Sequence, residues 1–109
     1  MLSVSPAVRI YLAAGASDLR RSIDGLAQVV RERFALDPLS GHLFVFRNRR
    51  GDRVKILVWD QSGFWVLYKR LEHGTFAWPA DEAPGPGQYV LDCAEKTGGA
   101  LRAASRHRR

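Results

Sequence analysis

The sequence predicts a small α+β domain: an N-terminal strand and one amphipathic helix packed on an antiparallel meander sheet of about four strands. Three observations carry that expectation. A helical apolar stripe covers Ser22 to Phe34, strand-like runs crowd Leu43 to Leu71 with only short turns between them, and the character changes abruptly after Pro79. At 109 residues there is room for one modest core, and 46% hydrophobic content places the chain among globular proteins.

"VRIYLA" (Val8 to Ala13) alternates and is β-prone, and "AGASD" follows it as a turn. From Ser22 onward, Ile23, Leu26, Val30 and Phe34 recur at helical spacing with Val29 beside them. Gln28, Arg31 and Glu32 occupy the opposite side. Gly25 weakens the first turn, and Pro38 is expected to end the helix by restricting Asp37 to extended backbone.

The strand run opens with "HLFVF" (His42 to Phe46), continues through "RVKILVW" (Arg53 to Trp59) and, after "DQSG", into "FWVLYKRL" (Phe64 to Leu71). "TFAW" is expected to add a last strand before Pro79. Short connections imply antiparallel neighbours. In "FWVLYKRL" both alternating sets begin apolar, with Phe64, Val66 and Tyr68 on one face and Trp65, Leu67 and Leu71 on the other. Only one set can face the helix, so the other is a candidate interface. The domain is therefore expected over residues 1–79. Residues 80–109 read as a Pro/Gly linker, "ADEAPGPGQ", a short strand or helical turn in "YVLDCAE", and a basic, mobile tail.

The net charge of +6 favours an anionic partner such as nucleic acid. Residues 1–79 hold 12 Lys and Arg against 7 Asp and Glu. The sharpest concentration is Arg47, Arg49, Arg50 and Arg53, four arginines in seven residues, followed by Lys55, with Lys69 and Arg70 further on. Guanidinium forks match phosphate oxygens, and a hairpin tip can reach a groove. A solvated turn built on Gly51 and Asp52 would be basic for no such reason. Trp59, Trp65 and Trp78, with Phe44, Phe46 and Phe76, can stack on unpaired bases, although core packing accounts for most of them. Trp65 or Tyr68, whichever points away from the helix, is the exception.

Catalytic patterns are sparse. Asp18, Asp24, Asp60 and Glu72 would have to converge to hold a metal, and no spacing rule brings them together. They fit helix-start and turn positions instead. His42, His73 and His107 have no ligand spacing, and no phosphate-cradling glycine motif or nucleophilic triad is present. The expectation is a protein without metal, cofactor, membrane segment or small-molecule substrate. The single Cys93 excludes an internal disulfide framework and fits a reducing cytoplasm.

Taken together, "DLRRSIDGLA" (Asp18 to Ala27) and "DPLSGHLFVFRNRRGDRVKILVWDQSGFWVLYKRLEHGTFAWP" (Asp37 to Pro79) resemble one family, over roughly residues 7–79. It is the accessory protein, often labelled TnpB, encoded by the second open reading frame of bacterial insertion sequences of the IS-sixty-six type. The resemblance implies a role in DNA transposition beside a separate transposase that carries the strand-transfer chemistry, with no catalytic residues to carry over. Members continue past an "LDAAEL"-like segment into an apolar helical stretch. Here "LDCAE" fits, whereas "KTGGALRAASRHRR" departs from the pattern. The leading expectation is a non-catalytic accessory factor binding insertion-sequence ends through Arg47, Arg49, Arg50, Arg53 and Lys55, aided by Lys69 and Arg70. The rivals are a module that binds the transposase through the spare apolar sheet face, and a metal-dependent nuclease using Asp18, Asp60 and Glu72.

Overall fold

The computed structural model describes residues 7–78 and the backbone of 88–91. Its strands are β1 (Ile10–Ala13), β2 (Leu43–Arg47), β3 (Arg53–Asp60), β4 (Gly63–Arg70) and β5 (Gln88–Leu91), in the sheet order β4-β3-β2-β1-β5. The expected meander is β2-β3-β4, antiparallel throughout. The N-terminal strand lies within the sheet, where β1 runs parallel to β2 and pairs Ile10 with Leu43 and Leu12 with Val45. Parallel neighbours need a long crossover, and the helix supplies it. The α+β class stands, with a mixed sheet.

Helix α1 (Ile23–Val29) passes without a break into a wider π turn over Val30–Phe34. Leu26, Ala27, Val29, Val30 and Phe34 are buried, whereas Ile23 is 37% exposed. Ile23 therefore stands outside the apolar stripe expected of it, and Ala27 belongs inside. The helix ends at Phe34, as the stripe predicts, but Ala35 rather than Pro38 stops it. Ala35 adopts a left-handed conformation (φ 55), and the amides of Ala35 and Leu36 both donate to the Val30 carbonyl. A non-glycine residue holds this cap because Phe34 and Leu36 on either side pack into the core.

The sheet is buried on both faces at its centre. On the helix side, Tyr11, Phe44, Phe46 and Leu57 meet Leu26, Val30 and Phe34, with Phe34 5.8 Å from Phe44 and 5.7 Å from Phe46 by ring centroids. On the far side, Ile10, Leu12, Val45, Val54 and Val58 pack with Phe76, and Leu71 and Trp78 lie at the border. The segment "TFAW" forms no strand. It crosses the far face as a tethered coil, with the Phe76 amide donating to Gly51 O (2.8 Å) and the Trp78 indole donating to Ala13 O (2.9 Å). Apolar Phe76 and Trp78 at spacing two suit a strand, but a coil lying on a sheet satisfies the same pattern, with Phe76 buried and Trp78 half-buried.

Of the region after Pro79, only β5 is described, and it pairs antiparallel with β1. The strand alternative for "YVLDCAE" therefore holds at Gln88–Leu91. The linker and mobile-tail expectations, Cys93 and His107 lie outside the described residues. Among the described residues, no helix is long and apolar enough to cross a membrane.

Candidate nucleic-acid interface

The β2–β3 connection is organised by one side chain. Asn48 Oδ1 accepts the amides of Gly51 (3.0 Å) and Arg53 (3.0 Å), and Asn48 Nδ2 donates to Asp52 Oδ1 (2.7 Å). Asn favours such turns because its amide mimics backbone groups. The Asn48 bond, helped by the charges of Arg50 and Arg53, holds the Asp52 carboxyl below its ordinary pKa. Gly51 is buried at φ +79, 3.5 Å from Thr75 Cβ as measured from the Cβ it lacks. The Gly51 and Asp52 carbonyls accept the amides of Phe76 and Leu71, at 2.8 Å each. The basic loop is thus fastened to the 71–76 segment and is not a free tip.

That fastening divides the seven bases singled out from the sequence. Arg47 is half-buried, its guanidinium 5.7 Å from the Trp78 ring centroid, with Nη1 donating to Asn48 O (3.3 Å). Its Nε is buried with no hydrogen-bond partner. Lys55 donates from Nζ to Arg21 O (3.0 Å) and lies 5.6 Å from the Tyr68 ring centroid. Arg70 pairs with Glu72 (3.1 Å) across an exposed surface, where such pairs contribute little. Arg49, Arg50 and Arg53 are exposed, and among the described residues their guanidiniums make no hydrogen bond or ion pair.

The strand register sets which bases share a face. Alternation places Arg53 and Lys55 of β3 with Tyr68 and Arg70 of β4 on the helix side, and Arg53 is directly opposite Arg70. Lys69, opposite Val54, projects from the other face. Like charges directly across a strand pair repel, and an anion between them removes the repulsion. Seven bases that look equivalent in sequence therefore have three situations. Arg47 and Lys55 are engaged, Lys69 is turned away, and Arg49, Arg50, Arg53 and Arg70 line one end of the sheet.

The structure also brings up a neighbour that loop reading missed. Ser17 N donates to Arg47 O (2.8 Å) and Lys55 holds Arg21 O, so residues 17–21 lie against the basic end. The stem of Arg21 runs alongside Gly25, where an added Cβ would stand 3.0 Å from Arg21 Cβ. Gly25 thus makes room for a base. "RR" at Arg20 and Arg21 was the signal, but 26 residues separate Arg21 from Arg47 and only the crossover closes that gap. Arg20 itself is taken by Asp18, whose two oxygens each accept a guanidinium nitrogen at 3.0 Å. Hydrogen bonds from the Arg20 side chain and backbone lower the Asp18 pKa to about 2.

The four carboxylates considered for a metal are engaged separately or lie apart. Asp18 holds Arg20, Glu72 holds Arg70, Asp60 accepts the Trp65 indole N–H (3.2 Å), and Asp24 sits in the first turn of α1. Among the described residues, no three His, Cys, Asp or Glu side chains come close enough to share an ion. Of the aromatics, Phe44, Phe46 and Phe76 are core, Trp59 is half-buried against Phe64, and Trp65 is the one that faces away from the helix, 53% exposed.

The family described as IS66 Orf2-like protein matches residues 8–95. The chain belongs to the IS66 Orf2-like family. The match includes every element described above and reaches past residue 79 through β5. It stops at Glu95, where the sequence leaves the pattern that the resemblance led one to expect. Two proteins of Sinorhizobium fredii (strain NBRC 101917 / NGR234) are similar to this IS66 Orf2-like chain. The uncharacterized protein y4hO is 42% identical over 97 residues, covering 84% of each chain. The uncharacterized protein y4jC is 39% identical over 79 residues, covering 72% of this chain and 68% of its own. No solved structure matches. Membership carries an association with transposition of IS66-type elements, as an accessory protein.

Proposed function

We propose that this IS66 Orf2-like protein is a non-catalytic accessory factor that binds the DNA of its element, gripping phosphates with Arg49, Arg50, Arg53 and Arg70. The carrying observation is the composition of one sheet end: Arg53 sits opposite Arg70, and three exposed arginines there have no protein partner among the described residues. The guanidiniums of Arg49, Arg50 and Arg53 form no ion pair among the described residues and are ready to take phosphate oxygens, and a rigid, tethered loop loses little entropy on doing so. Lys55 and Arg21 extend the same positive region from the crossover. Arg47 supports the loop from within by packing on Trp78.

The mechanism is phosphate neutralisation. Such contacts position a protein on a duplex without reading sequence, so the factor would hold element ends for the transposase to act on. Its localisation would follow its substrate, the cytoplasmic DNA of a bacterium.

The experiment is a salt titration of binding to an element-end duplex and to an unrelated duplex, with and without the transposase. Affinity should fall with salt at a log-log slope of about 0.9 per neutralised phosphate. Replacing Arg49 and Arg50 together by alanine should shallow that slope by roughly two contacts' worth while leaving the fold intact. Binding that is absent, or indifferent to salt, would sink the reading.

A further inference from the structure

We infer that β4 is the self-association edge of this protein, pairing antiparallel with the β4 of a second copy about a two-fold axis through Val66. At the other side of the sheet, β5 covers β1. β4 ends the sheet order, so among the described residues no strand pairs with its outer side. Edges left open are ordinarily short, charged along their length or broken by proline. β4 is eight residues long, contains no proline, and carries charge only at Lys69 and Arg70. It also holds three of the large exposed apolar side chains, Trp65 (53%), Leu67 (41%) and Tyr68 (54%).

The sequence of β4 is complementary to itself only in one orientation. With Val66 opposite the partner's Val66, antiparallel pairing sets Trp65 against the partner's Leu67 on the far face and Tyr68 against the partner's Phe64 on the helix face. Every exposed apolar residue of the strand thereby gains an apolar cross-strand neighbour, twice over by symmetry. A parallel arrangement would instead stack the two Lys69-Arg70 ends on each other.

The charges fit the same register. Lys69 falls opposite the partner's Gly63, beside the β3–β4 turn. Asp60 lies on the far face with Trp65, as its bond to the Trp65 indole shows. Asp60, Ser62, Gly63, Phe64 and Trp65 line an open hollow of about 330 Å³ at the β3–β4 turn. The ammonium of Lys69 would enter that hollow next to the partner's Asp60, forming two equivalent ion pairs. A carboxylate at one end of the strand and bases at the other is the pattern that favours a second copy over an unrelated partner. The axis runs through the plane of the sheet, so both helices, and both Arg53–Arg70 ends, lie on one side of a continuous ten-stranded sheet.

Sedimentation velocity on the full chain tests this. The wild type should form a concentration-dependent dimer, and Trp65→Glu with Leu67→Glu should sediment as a monomer with unchanged circular dichroism. Asp60→Lys alone and Lys69→Asp alone should each weaken the dimer, by roughly tenfold since each change enters the interface twice. The two together should restore it. A wild type that stays monomeric up to about 100 μM, weaker than a specific dimer of this kind should be, overturns the inference. So does a dimer that survives the Trp65 and Leu67 changes, or a double charge reversal that restores nothing. If the wild type is monomeric but binds purified transposase through Trp65 and Leu67, the surface serves that partner and the second copy is excluded.

Discussion

The two flanks of β3 have opposite characters. Towards β2 and β1 the sheet is sealed, with Ile10, Ala13, Phe44 and Phe46 at 0% exposure and side chains packed on both faces. Towards β4 it is open, with five of the last six residues of that strand exposed. The same alternating β-prone chemistry builds both, so the contrast comes from what covers each strand. Helix α1 with the π turn lies over one face of the centre, and the 71–78 coil lies over the other. Stability is concentrated in the sealed half, while the free charges and the exposed apolar surface sit around the open half and its loop.

The sharpest way to break that contrast is to truncate a matched pair of side chains. Phe44→Ala should cost about 3–5 kcal/mol by denaturant titration, because a fully buried ring leaves a cavity. Leu67→Ala should stay within about 0.5 kcal/mol for the monomer. Comparable losses at both sites would mean that β4 is covered after all.

Next in size is the seam where the basic loop is tied to the sealed half. Asn48→Ala removes three hydrogen bonds and leaves the Gly51 and Arg53 amides without that acceptor. A loss of roughly 1.5–3 kcal/mol in the same titration is expected, together with a rise of the Asp52 pKa towards its ordinary value, readable by NMR. Gly51→Ala should cost about 1–2 kcal/mol, since φ +79 is unfavourable for any residue with a Cβ. Thr75 leaves room at 3.5 Å, so the cost is conformational and should be nearly the same in a Thr75→Ala background.

The smallest effect concerns acid. Asp18 ionises with a pKa of about 2 in the folded protein against an ordinary 3.8. Between those values the unfolded chain binds a proton that the folded chain does not. The contribution is therefore complete above pH 4 and is lost as the pH falls through about 2. Melting temperatures from pH 5 down to 2 should decline less steeply for Asp18→Asn than for the wild type. The pair lies on an exposed surface, so the difference should be small and should shrink further in high salt.

How much could be read without the fold varied from residue to residue, for physical reasons. The helix and the three meander strands are local patterns, and their periodicity reported them correctly. The helix end at Phe34 was legible in the stripe, but its cause was not, because Ala35 carries no glycine signal and the left-handed turn there is held by Phe34 and Leu36 entering the core. "TFAW" is a coil and not the expected strand because apolar residues at spacing two can pack on a sheet without strand hydrogen bonds. Within the candidate site, the run from Arg47 to Lys55 was visible as charge density. That Arg47 lies against Trp78 and Lys55 against Arg21 O was not, since those partners are 31 and 34 residues away.

By itself the sequence determined the composition of the chain, the positions of its helix and of strands β1 to β4 and, through the order of its motifs, the family. Those properties depend on near neighbours in the chain or on the residue string as a whole. Only the tertiary structure decided that β1 enters the sheet parallel to β2, which arginines are left with free donors, and that Trp65 rather than Tyr68 faces away from the helix. Each of these depends on which distant segment comes to lie against a given strand, and strand register and the helical crossover fix that only in the folded chain.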